Sequence, residues 1–393
     1  MQLILSLIFF ILISFMSPIL ADQQQNPEPI LSVELYEQFA KRLVNKIKSG
    51  NHNYFIKSVN GDGLFQRAFK DFQFDDDEEQ KAFIKKIKNS LNEHNISLFK
   101  HLGYRDDIKF IRILIREKAI HALIRLNFAN KSLGYIELVL QQNDYGDVSI
   151  VDWYDYSQGD FYSVALRQLT SLVYPSNQSI WTTLFGTKKP TKKTIDQLVD
   201  LAEMEQNKKY KDWLEAYKIL PEYIQNSRLY LTRQVAIASL TKDQGIYKKA
   251  LYALAKDHKQ DVSLTMVLLD YYFYNQQYDD TVRILESFNL RIGGDAGIYT
   301  LISSILYTQK NYFQAIANAK GAILADRSYK NAYWSLLRAY LITDNYRQSI
   351  NMMNQLVRRF KVKMPFSTIE KHPEYSRLIK SSDYKRWKRR ATK

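Results

Sequence analysis

Three short segments decide how the C-terminal half of the chain folds: Tyr278-Asp-Asp-Thr-Val, Tyr312-Phe-Gln-Ala-Ile and Tyr346-Arg-Gln-Ser-Ile. Each segment begins with a tyrosine, and successive segments stand 34 residues apart. A fixed period of this length is typical of helix–turn–helix units, which cannot bury their apolar faces alone and must stack on one another. The spacing therefore predicts a helical solenoid.

The residues around these tyrosines resemble the tetratricopeptide repeat (TPR) family. A small residue follows each tyrosine by three positions, at Thr281, Ala315 and Ser349. The three positions that the family fills with large or apolar residues in the preceding stretch are Thr265, Leu268 and Tyr272, then Tyr299, Ile302 and Leu306, then Tyr333, Leu336 and Tyr340, so the first unit lacks the early aromatic. The resemblance implies three repeats. Tyr247 and Tyr210, at spacings of 31 and 37, indicate two degenerate units before them, and an ordinary helical bundle is the alternative.

The N-terminus reads as an export signal. Residues 1–21 carry no charged side chain, and Leu3 to Phe15 is almost wholly Leu, Ile and Phe. This run predicts a secretory signal peptide over residues 1–21, with an uncleaved anchor as the alternative because Ile19 is large for a cleavage site. No Lys or Arg follows the run before Lys41, so we expect the body of the protein to cross the membrane.

The composition narrows the class of protein. The 393 residues are 46% hydrophobic and 25% charged, which is typical of a globular chain. There is no cysteine, which excludes disulfides, thiol nucleophiles and cysteine-ligated metals. An exported chain without disulfides favours the bacterial envelope, so we expect a periplasmic or secreted protein.

The middle of the chain predicts an antiparallel sheet. Four β-rich runs follow one another with short links, at Ile108–Arg116, Ala119–Phe128, Leu133–Gln141 and Val148–Tyr156. In the second run His121, Arg125 and Asn127 alternate with apolar residues, and Leu123 alone breaks the pattern. This alternation predicts one buried face, covered by helices near 31–48, 75–91 and 160–173, and one face open to water.

Helices followed by a curved antiparallel sheet resemble, in layout only, the nuclear-transport-factor-2-like (cystatin-like) α+β superfamily. That superfamily hosts enzymes, carriers and binding modules alike, so the resemblance assigns no functional residue. The predicted fold is an α+β domain followed by an all-α helical-hairpin solenoid. The predicted segments are a signal peptide or anchor at 1–21, a spacer at 22–30, the α+β domain at 31–175, a basic linker at 176–193, the repeats at 194–360, and a basic tail or cap at 361–393.

Chemistry-bearing motifs are missing from the sequence. It contains no His-Glu-x-x-His pattern, no glycine-rich phosphate or dinucleotide loop and no Gly-x-Ser-x-Gly elbow. We therefore expect no catalytic residue, no metal and no cofactor. The polar set His121, Arg125 and Asn127 is the one constellation that could form a site, and a solvated sheet face carries such residues routinely.

The TPR resemblance implies a binding surface for a partner protein or peptide, because the first helix of each unit lines the concave side in that family. By register, this surface comprises Met266, Asp270, Tyr274, Ser304, Tyr307, Trp334 and Arg338. The prediction is an exported, non-catalytic adaptor. The alternative is a carrier or an enzyme of unfamiliar type that uses a pocket in the α+β domain.

The C-terminus carries most of the positive charge. From Arg358 to Lys393 there are 13 lysines and arginines against 3 acidic residues, out of a total net charge of +15. An exported protein would meet anionic membrane surfaces sooner than nucleic acid, and the predicted anionic-surface residues are Lys385, Arg386, Trp387, Lys388, Arg389 and Arg390. The alternative is a solvated cap on the last repeat.

Overall fold

The computed structural model describes residues 33–70, 107–128, 132–173 and 190–391, with isolated positions between 76 and 99 and between 181 and 185. The predicted signal segment, the spacer, most of the helix after Asp75 and most of the basic linker lie outside the described residues. Among the described residues, no helix combines the length and apolarity needed to cross a membrane.

The N-terminal region is α+β. Helices α1 (Val33–Lys48), α2 (Asn53–Lys57) and α3 (Gly61–Phe69) precede the sheet, and α4 (Tyr162–Val173) follows it. The strands are β1 (Asp107–Arg116), β2 (Ala119–Asn127), β3 (Leu133–Gln142), β4 (Val148–Asp155) and β5 (Asp160–Phe161), paired antiparallel in that order. The predicted meander is therefore confirmed, and a short fifth strand extends it.

One face of the sheet is covered by helices, as the alternation in β2 predicts. Ile120, Ala122, Ile124 and Leu126 are buried in a core with residues of α1 to α4. Phe55 and Trp153 pack edge to face within it, with ring centroids 5.4 Å apart. The space between this face and its helices is filled by apolar side chains.

The other face was predicted to be open to water, and this prediction is wrong. His121 is 4% exposed and Arg125 is 1% exposed, because the helical region packs over them. Leu123, the residue that breaks the alternation, joins an apolar cluster that includes Phe288 of the helical region. A sheet that is buried on both faces carries apolar side chains on both. Leu123, an apolar residue on the polar side of β2, was the local indication that this face is also buried.

The C-terminal region is a solenoid of helical hairpins, as predicted. Within residues 190–391 the paired helices are α5 (Lys192–Gln206) with α6 (Tyr210–Tyr217), α8 (Arg228–Leu240) with α9 (Gln244–His258), α10 (Thr265–Tyr274) with α11 (Tyr278–Arg291), α12 (Ala296–Thr308) with α13 (Tyr312–Ala325), and α14 (Lys330–Ile342) with α15 (Tyr346–Phe360). The short α7 (Glu222–Gln225) lies between the first two hairpins.

The turns inside these hairpins keep a strict 34-residue period. In each one a residue with positive φ, between 56° and 62°, stands two positions before the second helix, at Lys208, Lys242, Gln276, Lys310 and Asp344. Its amide donates to the carbonyl three residues earlier in every case. This left-handed residue ends the first helix, because its conformation cannot continue a right-handed one.

The tyrosine register is right for the last three hairpins and wrong for one of the earlier two. Tyr278, Tyr312 and Tyr346 are the first residues of α11, α13 and α15, and the small residues three positions later are fully buried. Tyr210 opens α6 in phase, two full periods before Tyr278. In α9, however, the in-phase residue is Gln244, so the spacings of 31 and 37 came from aligning Tyr247 one turn too late.

A short helical cap closes the solenoid. Helices α16 (Phe366–Lys371), α17 (Ser376–Lys380) and α18 (Ser382–Ala391) follow α15. Tyr384 and Leu378 of the cap are buried in one apolar cluster with Met353 and Leu356 of α15. The cap therefore shields the apolar side of the last hairpin.

Candidate functional site

Three first helices of the solenoid, α10, α12 and α14, carry the seven residues predicted to bind a partner. Asp270, Tyr274, Ser304 and Arg338 are exposed on them, whereas Tyr307 is half-buried. Neighbouring first helices approach closely, with the Oγ atoms of Ser303 and Ser335 2.8 Å apart. We call the surface formed by these helices the first-helix wall.

Arg338 and Tyr307 join two neighbouring helices of the first-helix wall. The guanidinium carbon of Arg338 on α14 lies 4.9 Å from the ring centroid of Tyr307 on α12. The Arg338 side chain is 55% exposed, and its Nε lies 3.8 Å from Oε1 of Glu374 in the cap. A guanidinium that packs on an aromatic ring and stays open to solvent is already positioned to donate hydrogen bonds to an acceptor group of a partner.

At the other end of the wall, two residues of α9 that the sequence analysis missed form hydrogen bonds with wall residues. The Tyr247 hydroxyl donates to Asp270 Oδ2 at 3.0 Å, and the Tyr274 hydroxyl donates to Gln244 Oε1 at 2.5 Å. Burial, reinforced by the nearby Asp270, raises the pKa of Tyr247 above its usual value, so its hydroxyl keeps its proton. The sequence analysis aligns Tyr247 with the first residue of a second helix, three residues out of phase, so it does not indicate a contact with Asp270.

Two of the predicted wall residues pack against apolar clusters of the protein interior. Met266 is half-buried and packs against the apolar cluster that contains Leu123 and Phe288. Trp334 is also half-buried and packs against the cluster that joins α14 and α15 to the cap. The surface available to a partner is therefore centred on Asp270, Tyr274, Ser304, Tyr307 and Arg338.

Of the polar set on the sheet, Arg125 reaches into the solenoid. Its Nη1 donates to Asp295 at 2.7 Å and its Nη2 donates to Asp326 at 2.9 Å. Burial alone would lower the pKa of Arg125, but Asp295, Tyr135 and Asp326 outweigh it and raise the value, so the guanidinium stays charged. The guanidinium is therefore occupied by two structural carboxylates and is not available to bind a substrate.

The aspartates that Arg125 meets belong to the loops between hairpins. Asp295 caps α12 by accepting from the amide of Gly297, and the Tyr135 hydroxyl donates to it at 2.5 Å. The pKa of Asp326 is raised by burial but lowered further by hydrogen bonds from Lys109, Ser328 and Arg125, and lies below its ordinary range. The Asp326 carboxylate therefore stays ionised at neutral pH, and both aspartates hold the sheet to these loops.

The same sheet contacts three successive inter-hairpin loops. Arg228 of α8 joins Asp160 of β5 at 3.3 Å to Asp261 before α10 at 3.2 Å. Arg112 of β1 donates to the carbonyls of Gly293 and Gly294 before α12. Together with Asp326, these contacts place the sheet along the loop edge of the solenoid, and the exposed first-helix residues stay uncovered.

His121 takes part in a second buried cluster, centred on Glu137. Arg116 Nε donates to Glu137 Oε1 at 2.6 Å, the Tyr156 hydroxyl donates to Oε2 at 2.7 Å, and His121 Nδ1 lies 2.8 Å from Oε1. Burial raises the pKa of Glu137, but the approach of His121 and the bonds from Tyr156 and Arg116 outweigh it and lower the value to about 2. Such a carboxylate is a poor general acid or base near neutral pH.

Pockets give little support to a small-molecule site. A cavity of about 120 Å³ lies between the loop after α9 and helices α10 and α11, lined by Asp261, Thr265, Tyr272 and Arg283 among others. Small-molecule sites commonly occupy roughly 300–1,000 Å³, so this cavity is too small for one. A depression of about 530 Å³ along α1 is an open surface groove and not an enclosed pocket, and it is lined by Gln38, Lys41, Arg42, Asn45, Lys46 and Ser49. In the part of the chain that the structure describes, no group of three His, Asp or Glu side chains is arranged to hold a metal ion.

The predicted anionic-surface residues lie on α18. Lys385, Arg386, Arg389 and Arg390 are exposed there, whereas Trp387 and Lys388 are half-buried. Trp387 packs against Phe366 with ring centroids 5.0 Å apart, and its Nε1 donates to Asn354 of α15 at 3.2 Å. The helix therefore has an inner side that belongs to the cap and an outer side that is basic.

The resemblance of the solenoid to tetratricopeptide repeats rests on the 34-residue geometry and on the buried small residues of each second helix. Membership of that family, and of the nuclear-transport-factor-2-like superfamily, stays a prediction. No protein-family model matches the chain, and no curated protein is significantly similar to it in sequence.

Proposed function

We propose that the protein is an exported, non-catalytic adaptor that binds an extended or helical segment of a partner protein on the first-helix wall. The observation that carries the proposal is the Tyr307–Arg338 pair, which bridges two hairpins and leaves the guanidinium open to solvent. Tyrosine and arginine are the residue types that most often dominate protein interfaces. The sheet lies on the loop edge of the solenoid, so it does not compete for this pair.

The filled sheet supports an adaptor more than a carrier or an enzyme. A carrier would need a cavity on one face of the sheet, with polar groups converging on it. In the described residues, apolar side chains of α1 to α4 fill one face, and the solenoid covers the other. The buried polar groups around Arg125 and Glu137 bind one another, which leaves them no role toward a substrate.

Export rests on the uncharged apolar residues 1–21 and on the absence of basic residues before Lys41. Cell fractionation tests it, with recovery outside the cytoplasm as the expected result. An N-terminus that begins at Asp22 would establish cleavage. Recovery in the soluble cytoplasm would contradict export, although it would leave partner binding by the wall intact.

Site-specific photo-crosslinking tests the wall itself. A crosslinker is placed at the exposed Ser304 on the wall, and in a second protein at the exposed Lys320 on α13. We expect one partner to crosslink from Ser304 and not from Lys320. The double substitution Tyr307→Ala with Arg338→Ala should abolish that crosslink, because it removes the preorganised pair.

The matched control uses an exposed aromatic and an exposed cation of a second helix. Phe313 is 86% exposed, and Lys320 lies on the same helix, α13. Replacing both with Ala should leave the Ser304 crosslink unchanged. Equal crosslinking from Ser304 and Lys320, or a crosslink that survives the loss of Tyr307 and Arg338, would refute the wall as the binding surface.

A further inference from the structure

The last helix of the cap, α18, separates its aromatic and basic residues onto two sides. Tyr384 is 2% exposed, and Trp387 is held by Phe366 and by the hydrogen bond to Asn354. Both rings therefore pack against the cap and α15, which leaves neither ring free to insert into a bilayer. Any binding by the outer side must rely on charge.

Four exposed cations occupy the outer side of α18. Lys385 and Arg389 are four residues apart, as are Arg386 and Arg390, so the four side chains share one face of the helix. Arg358 and Arg359 at the end of α15 are exposed as well. Like charges this close repel one another unless an anion neutralises them.

The acidic residues of the cap pair with only one of the four cations on this face, Arg386. Glu370 pairs with Lys388 at 2.5 Å, Asp383 pairs with Arg386 at 2.8 Å, and Glu374 lies 3.8 Å from Arg338. Lys385, Arg389 and Arg390 have no acidic partner among the described residues. These three cations are therefore turned toward solvent, and they belong to a segment, Arg358 to Lys393, whose sequence carries ten more positive than negative charges.

We propose that the outer face of α18 docks the protein onto a bilayer that carries anionic phospholipid headgroups, through electrostatic attraction without insertion of a side chain. A helix with an extended row of cations fits a dense layer of phosphates, and each basic residue near such a surface contributes to attachment. The apolar residues 1–21 of the same chain favour a protein that works next to a membrane. Proteins that bind single-stranded nucleic acid stack bases on exposed aromatic rings, and here the rings face inward.

Vesicle flotation with the full chain tests the proposal. Binding is compared between neutral phosphatidylcholine vesicles and vesicles that also contain phosphatidylglycerol, since the neutral vesicles measure attachment through the apolar N-terminal residues alone. The test variant is Lys385→Gln, Arg386→Gln, Arg389→Gln and Arg390→Gln combined. We expect it to lose about a hundredfold in partition onto the anionic vesicles at low salt.

Two further variants separate charge from folding. Lys209, Lys211, Lys249 and Lys256 are exposed at the other end of the solenoid, and replacing all four with Gln makes the same change in net charge. This matched variant should keep anionic binding nearly intact. Arg386→Lys, Arg389→Lys and Arg390→Lys combined should also bind, because a diffuse headgroup layer requires charge and not bidentate geometry.

Salt dependence completes the experiment. The Debye length falls from roughly 10 Å at 0.1 M salt to roughly 3 Å at 1 M, so the anionic component of binding should disappear at 1 M. Equal flotation of the α18 variant and the matched variant, or equal binding to neutral and anionic vesicles, would overturn the proposal. A loss of binding to a DNA duplex with unchanged flotation would assign the face to nucleic acid and overturn it as well.

Discussion

Arg125 offers the sharpest test of how the sheet and the solenoid are joined. The substitution Arg125→Met keeps most of the side-chain volume and removes a guanidinium that is 1% exposed. It leaves the carboxylates of Asp295 and Asp326 without their shared cation, although both are largely buried. It also removes the cation that lies 4.3 Å from the ring centroid of Tyr329.

The expected loss of stability depends on the interactions that the two carboxylates retain in the variant. Removing one partner of a buried ion pair commonly costs about 3–5 kcal/mol. Asp295 retains the bond from Tyr135, and Asp326 retains Lys109 at 2.8 Å, so the lower part of that range applies. We expect Arg125→Met to lower the free energy of unfolding by about 3 kcal/mol.

Urea unfolding followed by tryptophan fluorescence measures the change, because Trp153 reports on the sheet region and Trp213 on the solenoid. Adding Asp295→Asn to Arg125→Met removes one stranded charge and should recover about 1 kcal/mol or more. Arg125→Lys keeps a charge but cannot bond both carboxylates in the same way, so its loss should be intermediate. A loss below about 1 kcal/mol for Arg125→Met would refute a desolvated ion pair at this interface.

Four further substitutions test the packing and the charge. A Cβ on Gly297 would lie 2.8 Å from the Tyr135 hydroxyl, so Gly297→Ala should cost about 1–3 kcal/mol. Gly321→Ala, with its nearest contact at 3.5 Å, should instead gain about 0.5–1 kcal/mol, and thermal unfolding that ranks the two the other way would contradict the interface. Because the pKa of Glu137 is lowered to about 2, its carboxylate stabilises the fold above pH 4.5 and loses that effect as the pH falls toward 2. The stability difference between wild type and Glu137→Gln, about 3 kcal/mol at pH 7, should therefore shrink over that interval in urea titrations, and a constant difference would argue against an ionised role. Trp387→Ala should speed amide hydrogen exchange in α18 without affecting the sheet, whereas unchanged exchange would mean that the ring does not hold the cap.

The sequence by itself determined the helical repeat and the order of the strands. Tyr312 is the first residue of its helix and Ala315 is fully buried, as the repeat of similar segments every 34 residues predicts. The alternation in β2 correctly named Ile120 and Ile124 as core residues. These features follow from periods of 3.6 and 2 that the backbone imposes over a few neighbouring residues, so they are visible in a short window of sequence.

A short window of sequence did not show at which residue the second helix of a degenerate hairpin begins. The turn before α9 keeps the 34-residue period through the backbone of Lys242, whose equivalents in the other hairpins are Lys, Gln, Lys and Asp. Three of the five are lysines, but Gln276 and Asp344 do as well, because the turn constrains the backbone dihedral and not the side chain. Tyr247 was the only visible landmark, and it stands three residues past the first residue of α9.

Only the tertiary structure decided whether the polar residues are exposed to solvent or buried against a partner. Arg125 meets Asp295 and Asp326 across separations of 170 and 201 residues, and no local pattern records such a pairing. The same holds for Trp387, whose side of α18 was settled by Asn354 on α15. A polar or amphipathic side chain is stable either in water or against a complementary partner, and which of the two applies depends on which distant segment packs over it.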